Sequence, residues 1–318
     1  MQKVGIIGSG MIASSLAVLT TGNGYQTILY ARSQKSADRL TDVYNSHWAA
    51  LVRQGIASEE QVDLCRTYLK ITQDYSDFSD TDMFFEAVTE DPAVKKTIYR
   101  EIARVNPDFD FIASCTSALT PGMLTEGLSA EEGADRVVVA HPFNPAHMVP
   151  YVEICGGEQT RNGVIDRVLR LLEKLGRKPV ALKKATPGFI GNRLQFALFR
   201  ECMALVEEGI CDYRDIDTAL NYSFCPRYTS IGIFEHFDAA GLNLDVRNAR
   251  LLFPFLSNRT DVPGVMIEKL NEGKGGIKDG EGFYDWRNVD MEAYRARVNE
   301  PYWRFCRYNL PDTPCPES

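Results

Sequence analysis

The 318-residue chain has little of several things that would announce a function, beginning with only four histidines, His47, His141, His147 and His236. No two of its eight cysteines form a CxxC, none stands at zinc-type spacing from a histidine, and the chain is too long for a disulfide-stapled mini-protein. Reduced, structural thiols and a cytoplasmic setting are the expectation. No apolar stretch reaches the roughly 18 residues of a membrane span. The apolar start Val4 to Ile7 is broken by Gly5, Gly8 and Gly10, with no signal-peptide pattern after it. Basic residues do not dominate: 35 Lys and Arg stand against 43 Asp and Glu, a net charge of −8 with no basic patch, which argues against nucleic acid and anionic membrane as partners. Gly 24 and Pro 15 show no low-complexity excess, so long disorder is not expected.

What is present is enough apolar material, 44% of the chain, for about two domains at roughly 150 residues each. Short apolar runs alternate with helix-period segments through the first half. Val4–Ile7, Thr27–Tyr30, Met83–Val88, Phe111–Ser114, Val137–Ala140 and Val180–Leu182 read as strands. Met11–Thr20, Ser36–Arg53, Val94–Val105 and Val164–Leu175 read as helices, the last closed by Gly176. Runs too apolar to have a wet face predict a mostly parallel, doubly wound sheet covered on both sides. After Thr186-Pro187-Gly188 no convincing strand follows. Helices are predicted over Phe189–Glu208, from an Asp212 cap through Leu220, over Asp245–Leu256 and over Val262–Asn271, before a Gly-rich turn and an aromatic stretch with Tyr294, Trp303 and Phe305. The expected fold class is therefore α/β, a Rossmann-type doubly wound sheet domain over 1–185 followed by an all-α domain over 186–318.

Gly8-Ser9-Gly10-Met11-Ile12-Ala13 follows the first strand and opens the first helix, a G-x-G-x-x-A loop in a complete βαβ unit. Gly8 permits the tight turn, Gly10 lets a pyrophosphate reach the backbone, and Ala13 lets helix and sheet pack closely. A ligand-free tight turn is the competing reading, weakened by the context. An NAD-preferring site ends its second strand with a carboxylate about 20 residues after the glycines. Here the segment reads Tyr30-Ala31-Arg32-Ser33-Gln34-Lys35, in which Arg32, Ser33 and Lys35 suit a 2′-phosphate. NADP is favoured over NAD on that ground. Stacking of Arg32 on adenine, with NAD retained, is the alternative.

Among the histidines, His141 directly follows Val137-Val138-Val139-Ala140, at the carboxyl end of a strand, where open α/β sheets bind ligands. A neutral imidazole there can take a hydroxyl proton as hydride leaves toward a nicotinamide. Twelve residues on, Glu153 sits in the partly apolar strand Tyr151-Val152-Glu153-Ile154-Cys155. If the loop from Pro142 to Pro150 folds that strand back, Glu153 can bond the second imidazole nitrogen and fix the tautomer. Taken singly, a satisfied core histidine and a charge at a strand edge are the competing readings. His147 lies in the loop. With His141 it forms the only close histidine pair, and no cluster nearby has metal-ligand spacing.

Several ordered segments carry a resemblance to the L-3-hydroxyacyl-CoA dehydrogenase family: Glu86-Ala87-Val88-Thr89-Glu90, Ala113-Ser114-Cys115-Thr116-Ser117-Ala118-Leu119, His141-Pro142-Phe143-Asn144-Pro145, Val152-Glu153, Thr186-Pro187-Gly188-Phe189-Ile190-Gly191-Asn192-Arg193 and Gly280-Glu281-Gly282-Phe283-Tyr284. The resemblance covers nearly the whole chain. The resemblance implies His141 as base, Glu153 as its partner, Ser117 and Asn192 around the substrate oxygen, Glu90 near the cofactor ribose, and Asn144 at the nicotinamide or stabilising its own loop. It also implies a homodimer through the helical domain. The plainer roles are a helix cap for Ser117, a backbone bond at the domain junction for Asn192, and an N-terminal helix charge for Glu90.

Two departures bear on substrate. The family's acyl-CoA members carry an acidic residue after the second strand and Gly-Tyr-Pro-Met-like residues where this chain has Ala31-Arg32 and Cys225-Pro226-Arg227-Tyr228. The segments Asn192 to Gln195, Leu205 to Ile210 and Arg227-Tyr228 more resemble the branch acting on free hydroxy acids, with L-gulonate 3-dehydrogenase, lambda-crystallin and carnitine dehydrogenase. In that branch a cleft arginine can clamp a carboxylate, which makes Arg227 the candidate, against a surface salt bridge. Lys35, Arg39 and Arg53 are a modest cation supply that neither requires nor excludes CoA. A small hydroxy or keto substrate, as thioester or free acid, is expected. A nucleotide-binding protein without turnover is the rival class, opposed by His141, Glu153, Ser117 and Asn192 occurring together.

Overall fold

The structure, a computed structural model, describes residues 2–312 and 314–315. In chain order its first unit runs β1 (Lys3–Ile7), α1 (Met11–Thr21), β2 (Gln26–Tyr30), α2 (Gln34–Arg53), α3 (Glu59–Thr67), β3 (Leu69–Thr72), β4 (Met83–Glu86), α4 (Pro92–Val105), β5 (Phe111–Ser114), α5 (Pro121–Thr125), β6 (Val137–Pro142), β7 (Tyr151–Cys155), α6 (Val164–Lys174) and β8 (Lys178–Ala181). The strands form one sheet in the order β3-β2-β1-β4-β5-β6-β7-β8. The first six are parallel; β7 turns back antiparallel on β6, and β8 runs parallel to β7. The strand order reverses between β1 and β4, which is where a doubly wound sheet opens a crevice at its carboxyl edge.

Successive strand residues supply opposite faces of the core. Ile6, Phe85 and Val138 pack with α1, α2 and α6, whereas Ile7, Phe84 and Val139 pack with α4 and α5. This is why the strands read as unbroken apolar runs rather than alternating ones. Leu69-Lys70-Ile71-Thr72 escapes that signal because β3 is a short edge strand with a polar outer position. Helix α3 has a signal that the apolar pattern does not carry: Ser58 and Gln61 close a capping box.

The chain divides into one unit of Met1–Ile190 with Arg295–Ser318 and another of Gly191–Tyr294. The sheet unit thus takes back the C-terminal segment, which differs from the expectation of one helical domain over 186–318. The reason is packing. Tyr302, Trp303, Tyr308 and Leu310 lie against the sheet core, Cys306 is buried in it, and the Tyr308 and Trp48 rings stand 5.9 Å apart.

The second unit contains α7 (Gly191–Glu207), α8 (Tyr213–Tyr222), α9 (Ile233–Ala240), α10 (Leu242–Leu252) and α11 (Gly264–Asn271), and α12 (Met291–Asn299) leads out of it. Asp212 caps α8 with a capping box. Among the described residues, Met203 is the one buried apolar side chain between 191 and 294. No helix of the described residues is long and apolar enough to cross a membrane.

Candidate functional site

At the end of β1 the backbone turns through Gly8, whose φ of +148° and position suit glycine: a Cβ there would meet the Ala87 carbonyl oxygen at 2.4 Å. Gly10 is the N-cap of α1, without a side-chain cap and with no acid in the first turn. A Cβ on Gly10 would meet nothing within 4 Å. Uncapped first-turn amides facing open space form an anion seat, and they fit the pyrophosphate of a dinucleotide. Met11 is exposed, Ile12 packs on the core margin and Ala13 is fully buried beneath the helix. Arg39, counted above among possible cations for CoA, donates instead to the Ser9 carbonyl at 2.7 Å and braces this loop from α2.

Beyond β2, Arg32 and Lys35 are exposed. The Ser33 hydroxyl accepts from the Ser36 amide while Ser36 closes the capping box of α2, a bond that uses a lone pair of Ser33 and not its proton. The cations and that proton remain available to a phosphate.

At the ends of β4 and β5 lies a buried network. The Glu86 carboxylate accepts from Lys95 Nζ at 2.7 Å, Tyr99 OH at 2.9 Å, Ser114 Oγ at 2.7 Å and the Val88 amide at 2.9 Å. Lys95, itself 1% exposed, also reaches Glu90 at 3.4 Å. Glu90 accepts from the Thr116 hydroxyl and from the Ser117 and Ala118 amides, at 2.9 and 3.2 Å. Burial alone would raise the Glu90 pKa, but these donors and Lys95 outweigh it and hold the carboxyl below its usual range. Glu90 therefore fastens the loop that bears Ser117. Ser117 is exposed, and Thr120, not Ser117, caps α5. Glu86, Lys95 and Thr116 were not singled out from sequence as site residues. Their trace was a carboxylate ending an apolar strand and a lysine on the core face of α4, which also buries Ile98, Tyr99 and Ile102.

His141 and Glu153 are directly opposed across the antiparallel β6–β7 ladder. Imidazole Nδ1 lies 2.9 Å from Glu153 Oε2, with the residues 5% and 0% exposed. The other carboxylate oxygen accepts from Tyr151 OH at 3.2 Å and from the Ile190 amide at 2.6 Å. Burial, and then the Glu153 charge, raise the Tyr151 pKa, so its hydroxyl stays a donor. The rings of Phe143 and Phe189 stand 5.3 and 5.5 Å from the imidazole. Phe189, buried, has a φ of +49°, a conformation costing on the order of 1–3 kcal/mol for a bulky residue. That turn aims the next amide at Glu153. The roles of Phe189 and Ile190 are also absent from the sequence reading, which took Thr186-Pro187-Gly188 as punctuation.

Register puts Ile7 beside Glu86, Glu86 beside Ser114 and Ser114 beside Val139, so the glycine loop, the Glu86–Glu90 segment, the Ser117 loop and His141 follow one carboxyl edge. Asn144 is exposed just beyond it. In the helical unit, Asn192 stands in the first turn of α7. Arg227 is exposed, its Nη1 3.0 Å from His236 Nε2, and among the described residues it stands in no salt bridge of the kind considered above.

Two family models match, the 3-hydroxyacyl-CoA dehydrogenase NAD binding domain over residues 3–185 and the C-terminal domain of the same family over 188–286. The chain is 31% identical over 298 residues to 5-formyl-3-hydroxy-2-methylpyridine 4-carboxylate 5-dehydrogenase of Mesorhizobium japonicum, covering 93% of this chain and 94% of that one. It is 32% identical over 248 residues to L-carnitine dehydrogenase of Oceanobacillus iheyensis, covering 78% and 79%. A solved structure of a 5-formyl-3-hydroxy-2-methylpyridine 4-carboxylic acid 5-dehydrogenase, described as an NAD+ dependent dismutase, superposes with a TM-score of 0.85 at 29% identity, covering 96% and 97%.

Proposed function

This chain belongs to the 3-hydroxyacyl-CoA dehydrogenase family, and on that footing we propose that it is an NAD(P)-dependent dehydrogenase moving hydride at the C3 hydroxyl or keto group of a 3-hydroxy acid. The observation that carries the reading is the cross-strand pair His141–Glu153 on the carboxyl edge shared with the glycine loop. When bound, the nicotinamide gives or takes the hydride. His141 handles the proton. With Nδ1–H donated to Glu153, Nε2 is the free acceptor for the substrate hydroxyl, and the buried carboxylate favours the imidazolium formed as the proton arrives. Tyr151 and the Ile190 amide keep Glu153 from rotating away.

Ser117, steadied through Glu90, and Asn192 are assigned to the substrate oxygen, where hydrogen bonds strengthen as charge develops. Asn144 is assigned to the nicotinamide side. A free carboxylate is favoured over a CoA thioester on two grounds: Arg39 is taken by the glycine loop, and Arg227, exposed, has no acidic partner among the described residues. The Mesorhizobium japonicum relative is likewise named for a carboxylate. NADPH is favoured over NADH because Arg32 and Lys35 are exposed where a carboxylate would accept ribose hydroxyls.

We assign the sheet unit to the cofactor and the helical unit to substrate and to a homodimer. Support for the dimer is the apolar surface left by the helical unit, with Phe234 89%, Phe255 81% and Phe253 69% exposed. The cysteine pattern read above supports a cytoplasmic setting.

The test is oxidation of NADPH or NADH with 3-oxo acids and with acetoacetyl-CoA, repeated with His141→Gln. The expected result is turnover on a 3-oxo acid, lost by about a thousandfold in the variant with cofactor affinity changed less than about threefold. Cofactor binding without turnover on either substrate class, or an active His141→Gln enzyme, overturns the reading.

A further inference from the structure

His147 is 2% exposed, in the loop between His141 and Glu153 that carries Asn144, and the mechanism above makes no use of it. A polar side chain buried in a loop is costly unless each group finds a partner. Here each partner comes from a different part of the sheet unit. Its ring Nδ1 lies 2.6 Å from Ser15 Oγ on α1, and its own amide donates to the same oxygen at 2.9 Å. Its carbonyl accepts from Arg177 Nη1 at 3.2 Å and from Tyr308 OH at 2.8 Å. Arg177 also reaches the Ala146 carbonyl at 3.3 Å.

The Ser15 hydroxyl serves both bonds when it accepts from the His147 amide and donates its own proton to an unprotonated Nδ1. The groups around the ring favour a neutral imidazole: burial first, then His47, whose ring is 4.4 Å away on α2, and Arg177. Ser15 itself is fully buried one turn into the helix whose first amides form the anion seat.

We propose that His147 is a positioning residue for hydride transfer: through Ser15 it ties the cofactor helix to the loop that follows His141 and bears Asn144, so that seating the dinucleotide also orders the base. The proposal rests on the dehydrogenase reading for its consequence and on the Ser15–His147 geometry for its mechanism. Misplacement of reacting groups by about 1 Å can cost on the order of a hundredfold in rate, so a lock between the two elements bears on kcat before it bears on binding.

Hydrogen–deuterium exchange with and without saturating NADH tests it without any substrate. In the wild type, NADH should slow exchange in peptides covering both α1 and 142–150. Ser15→Ala should keep the protection of α1 and lose at least about two thirds of that in 142–150. His147→Ala should do the same, while His147→Asn, which offers an acceptor at the δ position, should restore most of it. With a 3-oxo acid that the wild type reduces, Ser15→Ala should lower kcat at least about tenfold and leave the KM for NADH within about twofold. Unchanged loop protection in Ser15→Ala, no NADH effect on 142–150 in the wild type, or His147→Asn failing as badly as His147→Ala overturns the proposal. Should His147→Ala not fold, Ser15→Ala decides alone. Failure of every 3-oxo substrate with the exchange coupling intact would count against the functional reading and not against the lock.

Discussion

The strands of the sheet unit and the helices of 191–294 dispose of their large apolar side chains in opposite ways. Phe84, Phe85 and Phe111 are at most 1% exposed, sandwiched by helices on both faces, while Phe234, Phe253 and Phe255 stand more than two thirds exposed. A sheet whose both faces are covered completes its core within one chain. Helices whose apolar faces stay open have not recovered the roughly 25 cal/mol per Å² that burial provides, and a second copy is the cover proposed here. The difference also divides the proposed chemistry: His141, proposed as base, its partner Glu153 and the glycine loop sit in the self-sufficient unit, and Asn192 and Arg227 in the one with a single buried apolar side chain among its described residues.

The sharpest way to break the sheet unit is to open its buried charge network. Lys95→Ala leaves Glu86 without its cation at 0% exposure, and removing one partner of a buried pair costs about 3–5 kcal/mol. Urea unfolding should show that loss, and the double variant Glu86→Gln/Lys95→Met should recover much of it. A loss under about 1 kcal/mol in Lys95→Ala would mean that water reaches the pair. In the helical unit the Arg259–Glu207 pair is 35% and 19% exposed, so breaking it should cost less.

Acid gives the next largest effect, again in the sheet unit. Burial pushes His47 down to about 4 from 6.5, and burial with His47 and Arg177 pushes His147 well down too. Above pH 6.5 both folded and unfolded chains hold His47 neutral. Below it the unfolded chain takes the proton first, so stability should fall as pH drops from about 6.5 to about 4, by up to about 3 kcal/mol for His47. His47 Nε2 is buried without a partner, so His47→Phe removes no hydrogen bond and should flatten part of the urea-midpoint slope between pH 7 and 4.5. An identical slope in the variant would assign the acid sensitivity elsewhere.

What could be read from sequence follows the same divide. The sheet, its glycine loop and His141 are legible because each lies at or beside an apolar run that marks a strand, and Glu153 because it interrupts such a run in mid-strand, where a two-residue side-chain period leaves little choice of face. Lys95 and Glu86 were not, since a lysine on a core-facing helix position is recognisable only once its carboxylate partner is known to be beneath it. Tyr302, Trp303 and Tyr308 read as part of the helical domain because proximity in sequence says nothing of which core an aromatic segment joins. Ser33 reads as a phosphate donor from its place after β2, and its second duty, accepting from the Ser36 amide as a helix cap, shows only in the geometry. Arg227 was chosen by resemblance, and its bond to His236 has no sequence signature.

The apolar helices offer a smaller, more local test of the comparison. Phe234→Ser removes a ring from each copy; at about 1 kcal/mol for each partly buried ring the two give about 2 kcal/mol, or roughly a thirtyfold rise in the dimer dissociation constant. Sedimentation should find a dimer in the wild type and a concentration-dependent monomer in the variant. A wild-type monomer at micromolar concentration would leave those helices uncovered and remove the dimer from the reading.

The smallest effect separates two arginines, one in each unit. Arg32 follows β2 in the sheet unit and is proposed to pair with the 2′-phosphate, which makes it a determinant of cofactor choice and of nothing on the substrate side. Arg227 lies in the helical unit and is proposed to meet a carboxylate. Arg32→Asp should therefore raise the KM for NADPH about tenfold, about 1.4 kcal/mol, while the KM for NADH stays level or falls, since the new carboxylate can accept from ribose hydroxyls. Arg227→Ala should leave the NADPH to NADH ratio within twofold and raise the KM for a 3-oxo acid instead. Equal weakening of both cofactors in Arg32→Asp would indicate that the guanidinium stacks on adenine, common to the two, and would withdraw the preference for NADPH without touching the base or the glycine loop. A change of cofactor ratio in Arg227→Ala would show that the division of duties between the units is not as clean as the distribution of their side chains implies.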